Sequence, residues 1–418
     1  MRTQLLLSAL LLTICAAQVS NAQCPGITNS TTGAVTWTPQ WCDEFNGGLN
    51  SAIDSTRWTF DTGNSGFGNN ELETYCDPAS NTVPCSTGHP NAYIDGRGHL
   101  AIQARSVGST WTSARLKTAG KQSFNSGRIE ASLQIPSHTG LWPAFWNLGS
   151  QPGVSWPMVG ESDIMENWPV TSNIAGPGAT GNCSTIHTRV TGDSGEGRCF
   201  TLPTGQQIDT AFHTYGQIWS ANMIQYYIDD PTRPYLVLTA SDLPAGDTWP
   251  FSSSANPFFL ILNTAVGGTL GAPTDSATGS QPPMLADYVR QYVPSPVVPQ
   301  LSQPAALTVK AGATSGNTAS VTVTQTQGTG RTAFSCMTSA PKTSCLVTTS
   351  DPVNQYTADF SSSSTATATV TVTTMSGNGK GSNGTSPGNY TLTVNAYTIS
   401  SSDASSPSAK TVFNLKVN

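Results

Sequence analysis

Apolar side chains recur at every second position in the C-terminal third of the chain: Ala366, Ala368, Val370 and Val372; Tyr390, Leu392 and Val394; Phe413, Leu415 and Val417. Successive side chains of an extended strand point to opposite faces, so a period of two predicts half-buried strands. About seven such runs over about 115 residues, separated by Gly, Ser and Asn turns, predict a small β-sandwich. Nearer the N-terminus, GRIEASLQIP, YGQIWSANMIQYYIDD and FFLILNTAVGG combine β-branched and aromatic residues with turn-forming Gly, Asn and Asp. No long segment of helical period interrupts them. About 270 residues of short strands suit a two-sheet jelly roll whose concave face can hold an extended ligand. The expected class is all-β throughout.

The two patterns belong to separate units. All ten tryptophans lie between Trp37 and Trp249. The run VPSPVVPQLSQP, residues 293 to 304, holds four prolines and reads as a semi-stiff linker. The expected division is a leader over 1–22, a jelly roll over 24–293, a linker over 294–304 and the small sandwich over 305–418. The leader is read from Arg2, an apolar run from Leu5 to Ala17, and Ser20-Asn21-Ala22, which fits cleavage after Ala22 and secretion. The apolar run is too short to span a bilayer.

Composition narrows the partners. The net charge is −6, with 24 acids against 18 bases and no Lys/Arg cluster, so no footprint for nucleic acid or anionic lipid is present. A neutral partner and a monomer fit better. Eight cysteines remain after the leader, at 24, 42, 76, 85, 183, 199, 336 and 345, in close sequential pairs that suggest neighbour-to-neighbour disulfides and an oxidising destination. No zinc-ligand spacing occurs among them.

Only 10% of the residues are charged, yet GESDIMENW, residues 160 to 168, carries Glu161, Asp163 and Glu166. On a regular strand Glu161 and Asp163 share a face and Glu166 points the other way. A β-bulge near Ile164 or Met165 would absorb one residue and bring all three acids together. Two such carboxyls at about 5 to 5.5 Å are the apparatus of a retaining glycosidase, one attacking and one donating a proton. A solvated acidic strand or a hard-cation site would use the same residue types.

GESDIMEN and its surroundings resemble the catalytic signature of glycoside hydrolase family 16, on the side of its laminarinase-like endo-β-1,3-glucanases. The resemblance extends through WCDEFNG (41–47), GNNELETY (68–75), SGRIEASLQIP (126–136), GLWPAFWNLG (140–149), FHTYGQIW (212–219), FLILNTAVGG (259–268) and DYVRQY (287–292). It implies Glu161 as nucleophile, Glu166 as acid/base and Asp163 as the acid that assists Glu161. It implies sugar-stacking by Trp142, Trp146 and Trp156, and hydrogen bonds to sugar from Asn70 and Arg128. His187 matches a histidine on the strand beside the catalytic one. A structural calcium on the convex face, supplied by the segments of Glu44 and Asp287, is a further expectation, with no cofactor for catalysis. Ser162 departs from the family pattern, which has Ile there, and a small packing cost is expected. The implied substrate is a β-glucan. Agarose, carrageenan or xyloglucan as substrate, transglycosylation, and a non-catalytic glucan-recognition protein are the other readings. The tail resembles a bacterial immunoglobulin-like module.

Overall fold

The computed structural model describes residues 24–28, 35–170, 174–271, 273–295, 299–325, 330–360, 362–377, 384–398 and 408–418. The leader, its cleavage site and residues 296–298 of the expected linker lie outside them. Two antiparallel sheets face each other across one apolar core. The seven-stranded sheet runs in the order Glu196–Thr201, Gly181–His187, Glu161–Glu166, Leu141–Gly149, Phe258–Val266, Arg115–Lys117, Thr59–Asp61. The nine-stranded sheet is centred on Gly127–Gln134, flanked by Met284–Pro294 and His213–Ser220.

Alternation explains which side chains meet between the sheets. Ile129, Ala131 and Leu133 point inward from the central strand of one sheet, while Leu260, Leu262, Phe145 and Leu116 point inward from the other. Burying each of the larger of these side chains contributes about 1.5–3 kcal/mol. The alternate positions of the seven-stranded sheet are left to form an outer, functional face. The only α-helix among the described residues is the four-residue Gly268–Gly271.

The C-terminal residues form two further sheets around their own core of Val309, Val321, Val323, Phe360, Val370, Leu392, Val394 and Leu415. Among the described residues nine strands build them, including Pro299–Leu301 from the expected linker, and the hydrophobic pattern does not reveal Leu307–Val309 or Thr357–Asp359 because they are too short to show a period. Part of the expected linker is also ordered: Pro299–Leu301 pairs with Val323–Gln325. It is an edge strand, where proline costs no ladder hydrogen bond toward solvent. Disulfides join Cys24–Cys42, Cys76–Cys85, Cys183–Cys199 and Cys336–Cys345, the neighbour pairing expected. No helix among the described residues is long and apolar enough to cross a membrane.

Candidate active site

The acids lie on Glu161–Glu166, the third strand of the seven-stranded sheet. Its register breaks at one residue. Asp163 pairs with Trp146 and Met165 with Phe145, and on the other side Asp163 pairs with Thr185 and Glu166 with Cys183, so Ile164 is the extra residue of a bulge. Ile164 and Met165 both enter the core. Glu161, Asp163 and Glu166 consequently emerge on the same outer face and line one pocket of ≈ 230 Å³.

The surroundings of the acids set their charges. Burial first, then the negative charge of Asp163, pushes both Glu161 and Glu166 up to about 8. Two cations counter this at Glu161, His187 and Arg115, whereas at Glu166 only His187 and the Trp142 indole N–H do so. His187 stands opposite Glu161 in the ladder. Its Nε2 lies 3.2 Å from Asp163 Oδ2 and 4.0 Å from Glu161 Oε1. Burial opposes its charge, but the Asp163 contact and the neighbouring carboxylates win and push it up to about 10. Its Nδ1 is held by the Gly192 carbonyl at 2.6 Å. Gly195, at φ +63°, crosses above it: a Cβ there would lie 2.2 Å from Thr185 Cγ2 and 3.0 Å from His187 Cε1.

The three expected tryptophans all line this pocket. Trp142 donates its Nε1–H to Glu166 Oε1 at 3.0 Å. Trp146 donates to Asn263 Oδ1 at 2.8 Å, Asn263 Nδ2 donates to Tyr75 Oη at 3.1 Å, and the Tyr75 hydroxyl donates to Glu71 Oε2 at 2.8 Å. That relay fixes the Trp146 ring, whose face carries the Arg115 guanidinium at 4.8 Å. Trp156 is 42% exposed at the rim, with its ring 6.1 Å from that of His187, so it presents an open aromatic face.

Several expectations fail on geometry. Arg128 lies on the nine-stranded sheet and on the face turned away from the core, because Ile129 beside it points inward. Its Nε and Nη2 donate to Glu130 Oε2 at 2.9 and 2.7 Å, and it does not reach the pocket. Asn70 is exposed in a left-handed turn, φ +58°, while its neighbours Asn69 and Glu71 line the pocket in its place. Glu44 does not fit a calcium site, since both its oxygens accept from Arg290, at 2.8 and 2.6 Å, and a cation would have to displace that guanidinium. Asp287 is half-buried and shares no grouping of metal-ligand side chains with Glu44 among the described residues. Ser162 makes a buried polar contact instead of a packing defect: its hydroxyl donates to Gln217 Oε1 at 2.8 Å and lies 2.5 Å from the Tyr226 hydroxyl.

Sequence reading passed over Arg115, Asn263 and Glu71. Asn263 carried a signal, being a lone amide inside the apolar run FFLILNTAV, and Glu71 stands one position from the residue chosen in GNNELETY. A larger groove of ≈ 880 Å³ lies elsewhere, between Asn50–Phe60 and Asp77–Tyr93, and holds none of the three acids.

Known proteins share this fold. The Glycosyl hydrolases family 16 profile matches residues 79–265. The "Beta-glucanase" of Rhodothermus marinus is 33% identical over 268 residues, covering 61% of this chain and 85% of that protein. The "Glucan endo-1,3-beta-glucosidase A1" of Niallia circulans is 29% identical, and there the match covers 37% of the relative. Among solved structures, the endo-1,3-beta-glucanase catalytic domain of Thermotoga petrophila superposes with TM-score 0.52 at 33% identity, over 62% of this chain and 98% of that one. The Pyrococcus furiosus endo-beta-1,3-glucanase gives TM-score 0.53 at 35% identity, over 64% and 97%. With its jelly roll, its bulged acidic strand and these relatives, the chain belongs to glycoside hydrolase family 16.

Proposed function

We propose that this chain is a secreted, retaining endo-hydrolase that cuts internal β-1,3-glucosidic bonds of laminarin-like glucans, with mixed-linkage glucan as a second substrate. The observation that carries the reading is the Ile164 bulge, which turns Glu161 and Glu166 toward one sugar-sized pocket walled by tryptophans. The names of the relatives, a beta-glucanase and two endo-1,3-beta-glucanases, support the substrate class.

The charge asymmetry supports the roles. Arg115 and His187 both favour the ionised form of Glu161, which suits the nucleophile. Glu166 keeps its proton and is the acid, held in line by the Trp142 indole. In the first step a Glu161 oxygen bonds to the anomeric carbon as the bond to the leaving sugar oxygen breaks, and Glu166 gives its proton to that oxygen. In the second, Glu166 takes a proton from water as the water oxygen replaces Glu161 on the same carbon. Asp163, ion-paired with His187, stands beside Glu161, and its negative charge helps keep the Glu161 pKa raised.

The C-terminal sandwich reads as a spacer or attachment unit, since it carries no tryptophan and only Tyr356, Tyr390 and Tyr397 as aromatic platforms. Product analysis on laminarin, lichenan, agarose and xyloglucan tests the whole reading. New reducing ends from laminarin with retained anomeric configuration are expected, and Glu161→Ser should abolish them. Inverted product, or binding without cleavage, would overturn it, the latter in favour of a glucan-recognition protein.

A further inference from the structure

We infer that Glu161, Asp163 and His187 also form a binding site for a late first-row divalent cation, zinc or copper, whose occupancy blocks the nucleophile. One ligand atom from each residue lies within 4.8 Å of the other two. The set is mixed, two carboxylate oxygens and one imidazole nitrogen, which is the donor chemistry of zinc and copper sites and not of calcium or magnesium sites, which require many oxygens.

Two details turn this cluster into a site. The Gly192 carbonyl accepts from His187 Nδ1, which leaves Nε2 facing the acids, the arrangement in which a ligating histidine is oriented by a backbone partner. Asp163, only 3% exposed, has an Oδ2 with no hydrogen-bond donor. Its nearest cationic neighbour is His187 Nε2 at 3.2 Å, an ion-pair contact. Glu161 Oε1 lies 4.0 Å from the same imidazole nitrogen, so the three ligand atoms cluster around it. Metal–ligand bonds of about 2.0–2.2 Å place tetrahedral ligands about 3.3 Å apart, between the separations found. Trp156 and Asp193 line the same pocket beside these three residues.

A cation held here occupies a lone pair of Glu161, the atom that must attack sugar. This consequence rests on the hydrolase reading, whereas binding itself does not. The sequence of affinities should follow copper above zinc, with calcium and magnesium not held.

The test is calorimetric titration of zinc chloride into the full-length, tag-free protein, with laminarin hydrolysis followed in parallel. One zinc per chain is expected, raising the apparent KM for laminarin without lowering kcat. Affinity should fall by about tenfold to a hundredfold in Glu161→Gln and in His187→Asn. Glu166→Gln should keep its zinc while losing turnover, so a failed hydrolase reading and a failed metal site give different results. Circular dichroism checks each variant for folding, and Glu161→Gln, the closest in shape, decides if His187→Asn does not fold. Unchanged zinc affinity in the folded variants, or zinc and laminarin oligosaccharide bound together without competition, would overturn the proposal.

Discussion

At the scale of single residues, the reach of one indole decides how the acid behaves. The Trp142 hydrogen bond favours the ionised form of Glu166 and partly offsets the upward push of burial and of Asp163. Trp142→Phe removes that donor and keeps a ring for stacking. Glu166 should then hold its proton to higher pH, moving the alkaline limb of the kcat profile upward by about one unit, since hydrogen bonds to charged groups are worth about 1.5–3 kcal/mol. A limb that stays in place would show that the indole does not tune the acid. The acids and tryptophans were legible because charge is rare in this chain and the tryptophans cluster near the acids. Arg128 was misread because a matching motif does not by itself reveal which face of a sheet a side chain takes, and Arg115 was missed because a single arginine on a three-residue strand has no pattern around it.

At the scale of elements, the catalytic strand is fastened to the opposite sheet by polar contacts as well as apolar ones. Ser162, Gln217 and Tyr226 are fully buried and bonded across the core. Ser162→Ile, the residue found in the family pattern, would fill the space yet leave Gln217 Oε1 without its donor. The loss should be about 1–3 kcal/mol, the cost of an unsatisfied buried polar group, measured as a lower denaturation midpoint at unchanged slope. Equal or higher stability would mean that the strand is held by packing alone. Strand existence and sheet class followed from alternation, whereas the bulge could be placed only to within two residues, because Ile164 and Met165 are both apolar and either fits the core.

At the scale of the whole molecule, the buried carboxyls make stability depend on pH. Glu161, Glu166 and Glu73 all carry pKa values raised from 4.5 to about 8, each through burial first. The folded state therefore binds more protons than the unfolded chain between those limits, so stability is greatest below about 4.5 as far as these groups go and falls as pH rises toward 8. His187 acts in the same direction at higher pH, since its folded value of about 10 exceeds 6.5. Glu166→Gln removes one contributor, and its Tm should decline less than that of the parent between pH 5 and 8. Parallel decline of the two would remove Glu166 from the balance. Removing residues 300–418 should leave hydrolysis of soluble laminarin near the parental rate, as the tail core is built from the tail's own side chains. A collapse in rate would show that the tail completes the cleft.

The kink at Ile164 makes the chemistry a matter of odd and even. Take Ile164 out and the strand becomes regular, with Glu161, Asp163 and Glu166 still alternating onto the cleft side. Add one residue after Met165 instead and Glu166 turns inward among Leu260 and Phe145, leaving a protein that holds its sugar platforms but has no proton to give. A lineage of such enzymes can thus shed this residue and go on cutting, but gaining a neighbour for it ends the reaction in a single step.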